Sequence, residues 1–465
     1  MSGRKMIVPG KILPGHKPLH ELARTLFTSA LADCSVERAF ERCVRVVTPA
    51  EGARTLLFDD DPIDITGIRQ VRIVAIGKVA RTMLEVLLPR LSALSTIDLQ
   101  GILIAPSPPV PLPDGFQFFA GGHPLPNEAS FAGARAVLDM LGAISKLPTS
   151  IPDTLCLFLI SGGASAMMEL PLDPGISLDD TLAFHRALVH SGASIAEINC
   201  VRKHFSAIKG GRLAVAGHAA QCLSLFVSDV PRGHLDTIAS GPTVPDTTTL
   251  DDCRAALARY HLLEHLPASV QRFFADPSLP ETPKPHQLSA RTLILLDPDD
   301  LAEAARKHAE QLGFHVVIDN TCDDWDYRAA ADYLLARLRV LRRIHRRVCL
   351  ISVGEVTVSS ANARLIASGI GGRNQHFALY AATRLESSEG SIAVLSAGSD
   401  GIDGNSTAAG AVVHENTLPT LPMRAEAQTA LHSFQSGTFL HSLDATITTG
   451  PTGNNLRDLR LLLAE

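Results

Sequence analysis

At 465 residues the chain is too long for one ordinary core, and two domains, three at most, are expected. With 46% hydrophobic and 19% charged residues it reads as a well-buried globular protein. A net charge of −6 without a long Lys/Arg block argues against nucleic acid or an anionic membrane as its main partner. Aromatic residues make up only 5%, too few for a base-stacking platform.

The eight cysteines (34, 43, 156, 200, 222, 253, 322 and 349) form no C-x-x-C pair and several lie in apolar runs, so they are expected to be reduced core residues of a cytoplasmic protein. The eighteen histidines show no H-E-x-x-H or other metal-ligand spacing. No apolar run approaches membrane-spanning length, and the N-terminus lacks the apolar stretch of a secretory signal. Arg4, Lys5, Lys11 and Lys17 faintly echo a transit peptide, but Pro9 and Pro14 interrupt any helix there, and a disordered basic arm is the expectation.

Helical spacing over 18–48 predicts two helices broken near Asp33–Ser35. Val71–Ile76 reads as a buried strand ending in Gly77-Lys78, with a helix over Val79–Leu91. Lys78 thus stands at a strand's carboxyl edge, where open α/β sheets bind ligands; a solvated lysine at a helix start is the equal alternative. Gly101–Ala105 and Phe116–Ala120 are further strands, the latter running into Gly121-Gly122-His123, and Asn127 is placed to cap the helix Glu128–Ile144. Leu155–Ile160 is an apolar strand that breaks into Ser161-Gly162-Gly163-Ala164-Ser165, with a helix opening over Ala166–Glu169. Its glycines permit close backbone approach and its amides attract anions such as phosphate, although alone it is an ordinary turn.

Helices over Ser177–Ser191 and Ser194–Ile208 follow, then a strand, Leu223–Val227, ending in Ser228-Asp229 and a Gly/Pro/Ser/Asp-rich loop over 230–246. After helical residues 249–275, the four prolines of Asp276–His286 mark the domain boundary, giving domains 1–280 and 281–465. A second βα alternation has strands at Thr292–Leu296, His315–Ile318, Val348–Val353, Ile392–Leu395 and Ala445–Thr448 and helices at Leu301–Leu312, Tyr327–Ile344 and from Asn374 to about Leu385.

Six strand ends carry loops of Gly, Ser, Asp and a basic residue: 77–78, 161–165, 228–243, 354–357, 398–404 and 449–455. On the carboxyl edges of two facing sheets they would line one interdomain cleft suited to phosphoryl transfer, which needs backbone donors, cations, a carboxylate for Mg²⁺ and a proton acceptor. No G-x-x-x-x-G-K-[ST], H-R-D or D-F-G sequence is present, and no G-x-G-x-x-G follows the first strand, which weakens a dinucleotide-binding reading.

The segments GGHPLPNEAS, LISGGASA, EINCVRKHFSAIKGGRLA, SDVPRGHLDTIASGPT, GGRNQHFAL, SAGSDGIDG and TGPTGNNLRDL resemble, in order, the signature blocks of the class II D-glycerate kinases (glycerate 2-kinases with a C-terminal MOFRL domain), from about residue 70 to the end. The resemblance implies an α/β fold: a Rossmann-like N-terminal domain, a smaller C-terminal α/β MOFRL domain and an active-site cleft between them. The implied activity is ATP- and Mg²⁺-dependent phosphorylation of D-glycerate on its 2-hydroxyl. It also carries the family's functional lysine, carboxylate and arginine onto Lys78, Asp229 and Arg373. Lys78 is suited to neutralise the transferring phosphoryl group and Arg373 to grip a carboxylate or phosphate, while Asp229 suits either Mg²⁺ or the hydroxyl proton.

Nucleotide contacts are expected from Ser161, Gly162, Gly163, Ser165, Gly354, Glu355, Gly371, Gly372, Asn374, Gly398, Asp400, Gly401, Gly450, Thr452 and Asn454, and Mg²⁺ contacts from Asp229 and Glu355. Asp403 is a further carboxylate of the expected cleft. Departures from the family pattern are Ala164 in place of a third glycine, Arg232-Gly233-His234 in place of an acidic pair, few glycines over Ser359–Ile370 and Asn405-Ser406-Thr407 in place of Pro-Thr-Asp. They leave open altered substrate preference or a catalytically impaired nucleotide-binding protein. A hydroxypyruvate reductase is the other enzyme alternative. The expected partners are small molecules, with a homodimer left open as the assembly.

Overall fold

The computed structural model describes residues 17–47, 55–59, 61–91, 97–144, 153–230, 233–288, 290–358 and 368–465. The basic arm up to residue 16, Arg232 and most of the glycine-poor stretch before Arg373 lie outside the described residues. By its internal contacts the chain divides into two units, residues 33–301 with 451–457, and residues 1–32 with 302–450 and 458–465.

In the first unit β1 (Val44–Val47), β2 (Thr55–Phe58) and β3 (Asp61–Asp64) form a small antiparallel sheet. The main sheet contains β4 (Gln70–Ile76), β5 (Asp98–Ile104), β6 (Phe116–Phe119), β7 (Thr154–Ser161), β8 (Gln221–Val227) and β9 (Arg291–Leu296) in the order β6-β5-β4-β7-β8-β9, all parallel. Every residue of β7 is buried, which is why its sequence reads as an unbroken apolar run rather than an alternation. Since β4, β7 and β8 are adjacent and parallel, Gly77-Lys78, Ser161–Gly163 and Ser228-Asp229 all emerge at one sheet edge.

The second unit holds β10 (His315–Ile318), β11 (Val348–Gly354), β12 (Ile392–Gly398), β13 (Gly410–His414), β14 (Thr446–Ile447) and β15 (Asp458–Ala464), in the order β10-β11-β15-β12-β13-β14. β15 runs antiparallel between β11 and β12, so that Asp458 pairs with both Gly354 and Gly398. The chain's C-terminal strand is therefore the centre of this sheet, although the sequence reading ended its strands at Ala445–Thr448.

Two further placements differ from the sequence reading. The segment Arg291–Leu296, assigned to the second domain, pairs with β8 and closes the first sheet. The helix Leu19–Asp33, assigned to the first domain, belongs up to Ala32 to the second unit: Arg24 donates to the carbonyls of Thr446 (2.7 Å) and Asp444 (3.1 Å), and His20 stacks on His414. Both depend on non-local pairing, which hydrophobic periodicity does not encode. Among the described residues no helix is long and apolar enough to cross a membrane, and all eight cysteines are free thiols.

Candidate active site

In the first unit the β4 and β7 ends are tied together. Lys78 N–H donates to the Gly162 carbonyl (3.0 Å), Val79 N–H donates to Ser161 Oγ (3.0 Å), and a Cβ at Gly77 (φ +117°) would collide with Ser161. Ser161 is buried, so its hydroxyl serves this junction rather than an open surface. The expected helix at Ala166–Glu169 is only the single turn Ala164–Met167, and the left-handed residue before it is Gly163 (φ +83°). Ala164 is therefore no obstacle to the turn, while a four-residue helix contributes little dipole.

Around this junction the polar groups converge. A Cβ at Gly162 would strike the Asp229 carboxylate, and one at Gly163 would lie 3.1 Å from Lys78 Cγ and 3.2 Å from His123 Cδ2. Both glycines thus leave room for Lys78, His123 and Asp229 around one backbone turn. Lys78 and His123 are exposed and Asp229 is half-buried. Burial pushes the Asp229 carboxyl above its ordinary value, against the pull of its own backbone amide, Lys78 and Arg457. Partial burial of its ring, with Lys78 nearby, holds His123 below its ordinary value although the residue as a whole is exposed. Ser165 lies in a different chain of contacts, its Oγ 3.2 Å from Ser240 Oγ, which donates to Asn199.

In the second unit Arg373 opens the helix Arg373–Arg384. Its Nε and Nη2 bond the two Asp458 oxygens (2.5 and 3.1 Å), and Nη1 bonds Glu355 Oε2 (2.8 Å). Burial pulls the guanidinium down, but Asp458 and Glu355 outweigh it and hold Arg373 above its ordinary value. Asn374, expected to contact the nucleotide, gives its backbone amide to Asp403, which accepts from Asn374 N–H (3.0 Å) and Gln375 N–H (2.8 Å). Burial lifts the Asp403 carboxyl to about 7, aided by Asp458 and opposed by those amides and Arg373.

The Asn374 side chain is likewise internal, accepting from Ser396 Oγ at 2.6 Å. Gly354 and Gly398 flank Asp458 through the ladder, Asp400 accepts from Ile402 N–H, and Gly401 packs against Gly450. Asn405 accepts from Gly371 N–H (3.0 Å) and donates to the Gly369 carbonyl (2.6 Å), so this departure from the family pattern braces the loop before Gly372 and Arg373.

A family model described as "Domain of unknown function (DUF4147)" matches residues 22–275, and one described as "MOFRL family" matches residues 348–458. The D-glycerate 2-kinase of Thermotoga maritima is 37% identical over 74% of this chain and 79% of that protein. The chain belongs to the glycerate 2-kinase family. A second member of this similarity group, from Agrobacterium vitis and named provisionally as a hydroxypyruvate reductase, is 34% identical over 79% of this chain and 82% of its own length. The crystal structure of a glycerate kinase from Thermotoga maritima superposes with a TM-score of 0.77 at 31% identity, covering 96% of this chain and 99% of that one.

Within this glycerate 2-kinase fold, the first unit brings together Lys78, Gly162, Gly163 and Asp229, and the second brings together Glu355, Gly372, Arg373, Gly354 and Gly398. Thr452 and Asn454 sit on the segment counted with the first unit, where Asn454 Nδ2 donates to the Cys34 carbonyl (2.6 Å). Sequence reasoning passed over Arg457 and Asp458, although both stand inside the quoted TGPTGNNLRDL block. The signal was an adjacent cation and anion one leucine after the Gly453-Asn454-Asn455 turn.

Proposed function

We propose that this enzyme transfers the γ-phosphoryl group of ATP to the 2-hydroxyl of D-glycerate, with Mg²⁺, giving 2-phosphoglycerate and ADP. The observation that carries the reading is the grouping of Lys78, the Gly162-Gly163 backbone and Asp229 at one edge of a parallel sheet. Phosphoryl transfer asks little covalent chemistry of a protein and depends on positioned charge. Lys78 neutralises the phosphoryl oxygens, and the glycine turn lets them approach the backbone. Asp229, with its carboxyl raised by burial, accepts the proton of the acceptor hydroxyl or holds the metal. Arg373, fixed by Asp458 and Glu355, contributes a positive charge of defined position.

Among the described residues no cluster of three or more His, Cys, Asp or Glu side chains has metal-binding geometry. Mg²⁺ ordinarily takes one or two carboxylates and completes its shell with substrate phosphate and water, and Asp229 beside the Gly162-Gly163 turn would supply such a carboxylate. Asp229 is the favoured carboxylate, since Glu355 is already paired with Arg373. Bound there, Mg²⁺ would screen charge on the phosphates.

Incubation with D-glycerate, ATP and Mg²⁺ under a coupled ADP assay tests this function. ADP release that depends on D-glycerate is the expected result. Hydroxypyruvate-dependent oxidation of NAD(P)H without ADP release would replace the proposal with the reductase alternative. If Asp229 is the base, the acid limb of kcat/KM is expected above the ordinary aspartate value and to vanish in Asp229→Asn, whose residual rate is flat across that range. An unaltered limb in that variant would remove Asp229 from the role.

A further inference from the structure

Resting on the glycerate kinase reading, we infer that Arg457 recognises the carboxylate of the acceptor hydroxy acid in the site organised by Lys78 and Asp229. The segment Pro451–Arg457 belongs by its contacts to the first unit. Besides the bond from Asn454 to the Cys34 carbonyl, Gly453 lies so close to Thr82 that a Cβ there would come within 2.9 Å of Thr82 Oγ1. Thr82 is one helical turn beyond Lys78, so the anchored Gly453-Asn454 part of the segment lies against the helix that follows the Lys78 junction, and Leu456, which precedes Arg457, is fully buried. Arg457 itself has φ +65°, a left-handed conformation costly for a residue with a β-carbon and characteristic of sites where position matters.

The acceptor's chemistry supplies the reason. In a 2-hydroxy acid the reacting hydroxyl and the carboxylate sit on adjacent carbons, so the group that handles one must neighbour a cation for the other. Among the described residues, Lys78 and Arg457 carry the positive charge that bears on the Asp229 carboxylate. Lys78, at the glycine turn, is committed to the phosphoryl group. Arg373 has its fork on Asp458 and its remaining terminal nitrogen on Glu355. A guanidinium carries five donors in a plane matched to a carboxylate, so Arg457 can take a substrate oxygen alongside a protein contact.

Arg457→Asn removes the charge with a residue that tolerates the left-handed conformation, and Arg457→Lys keeps the charge. Calorimetric titration with D-glycerate, and separately with a nonhydrolysable ATP analogue, is the test. The Asn variant is expected to bind D-glycerate at least 10-fold more weakly, with the nucleotide affinity retained, partial recovery in the Lys variant and a matching rise in KM rather than a fall in kcat. Glycerol, which lacks the carboxylate, should not distinguish the variants from the parent. Unchanged D-glycerate affinity in the Asn variant, an equal loss of nucleotide affinity, or failure of the parent to bind D-glycerate overturns the assignment. D-glycerate binding that depends on Arg457 without phosphorylation would instead overturn the kinase reading and leave Arg457 standing.

Discussion

Replacing Lys78 with alanine is expected to lower kcat by about 10³-fold, the scale of losing one charge-stabilising group in the transition state, with no measurable loss of stability. Lys78 is exposed and no salt bridge holds it among the described residues, so thermal unfolding of the variant should match the parent. Arg373→Ala should behave differently. Its side chain is 36% exposed, but Asp458 beneath it is only 2% exposed and sits on the central strand of the second sheet. Removing the guanidinium strands that carboxylate, so Arg373→Ala is expected to lose activity and about 2 kcal/mol or more of stability together. Denaturant unfolding beside steady-state kinetics separates the two. Equal stability of both variants would show that the Arg373–Asp458 pair is not structural.

The largest stability effect is expected at Glu169, which follows the turn after β7. Its fully buried carboxylate accepts from Lys209 Nζ, from His185 Nε2 (3.0 Å), from Ser206 Oγ (2.8 Å) and from Leu170 N–H (3.0 Å). Burial alone would raise this carboxyl, yet Lys209 and His185 reverse that and hold it at about 2. Breaking a buried pair leaves the other charge uncompensated, so Glu169→Ala or Lys209→Ala is expected to cost about 3–5 kcal/mol in denaturant unfolding.

The sign with pH follows from the depressed carboxyl. Its stabilisation is complete above the unfolded value of 4.5 and is lost as pH falls toward about 2. A parent protein that keeps full stability at pH 3 would contradict this. Because the cluster anchors the chain just after Ser161–Gly163, the same variants should also weaken the site, through its geometry rather than its charge.

What was legible in the sequence was local. β4 and β7 announce themselves as buried apolar runs broken by Gly77-Lys78 and Ser161-Gly162-Gly163, because a parallel strand covered on both faces has no alternation and must stop at a residue the sheet cannot continue through. The Arg373 helix was legible for the same reason, as an apolar stretch after glycines.

What was not legible was partnership. Nothing in RTLILL says which sheet it joins. β15 was missed because Arg460 interrupts its apolar residues, yet that arginine is fully buried, with its guanidinium 5.7 Å from the centre of the Phe377 ring. Arg373 looked like an open cation, and only the fold reveals that Asp458 and Glu355 hold it. Asn374 was expected to contact the nucleotide, and only the fold reveals that its amide serves Asp403 and its side chain Ser396.

Transfer of phosphate onto the acceptor's 2-hydroxyl at the Lys78–Asp229 group, as proposed, is read out by ³¹P NMR of the product formed from D-glycerate, ATP and Mg²⁺. The expected result is a phosphomonoester on C2, formed by the parent and abolished by Lys78→Ala. Phosphate on C3, no phosphorylated product from the folded parent, or undiminished product from Lys78→Ala would contradict it.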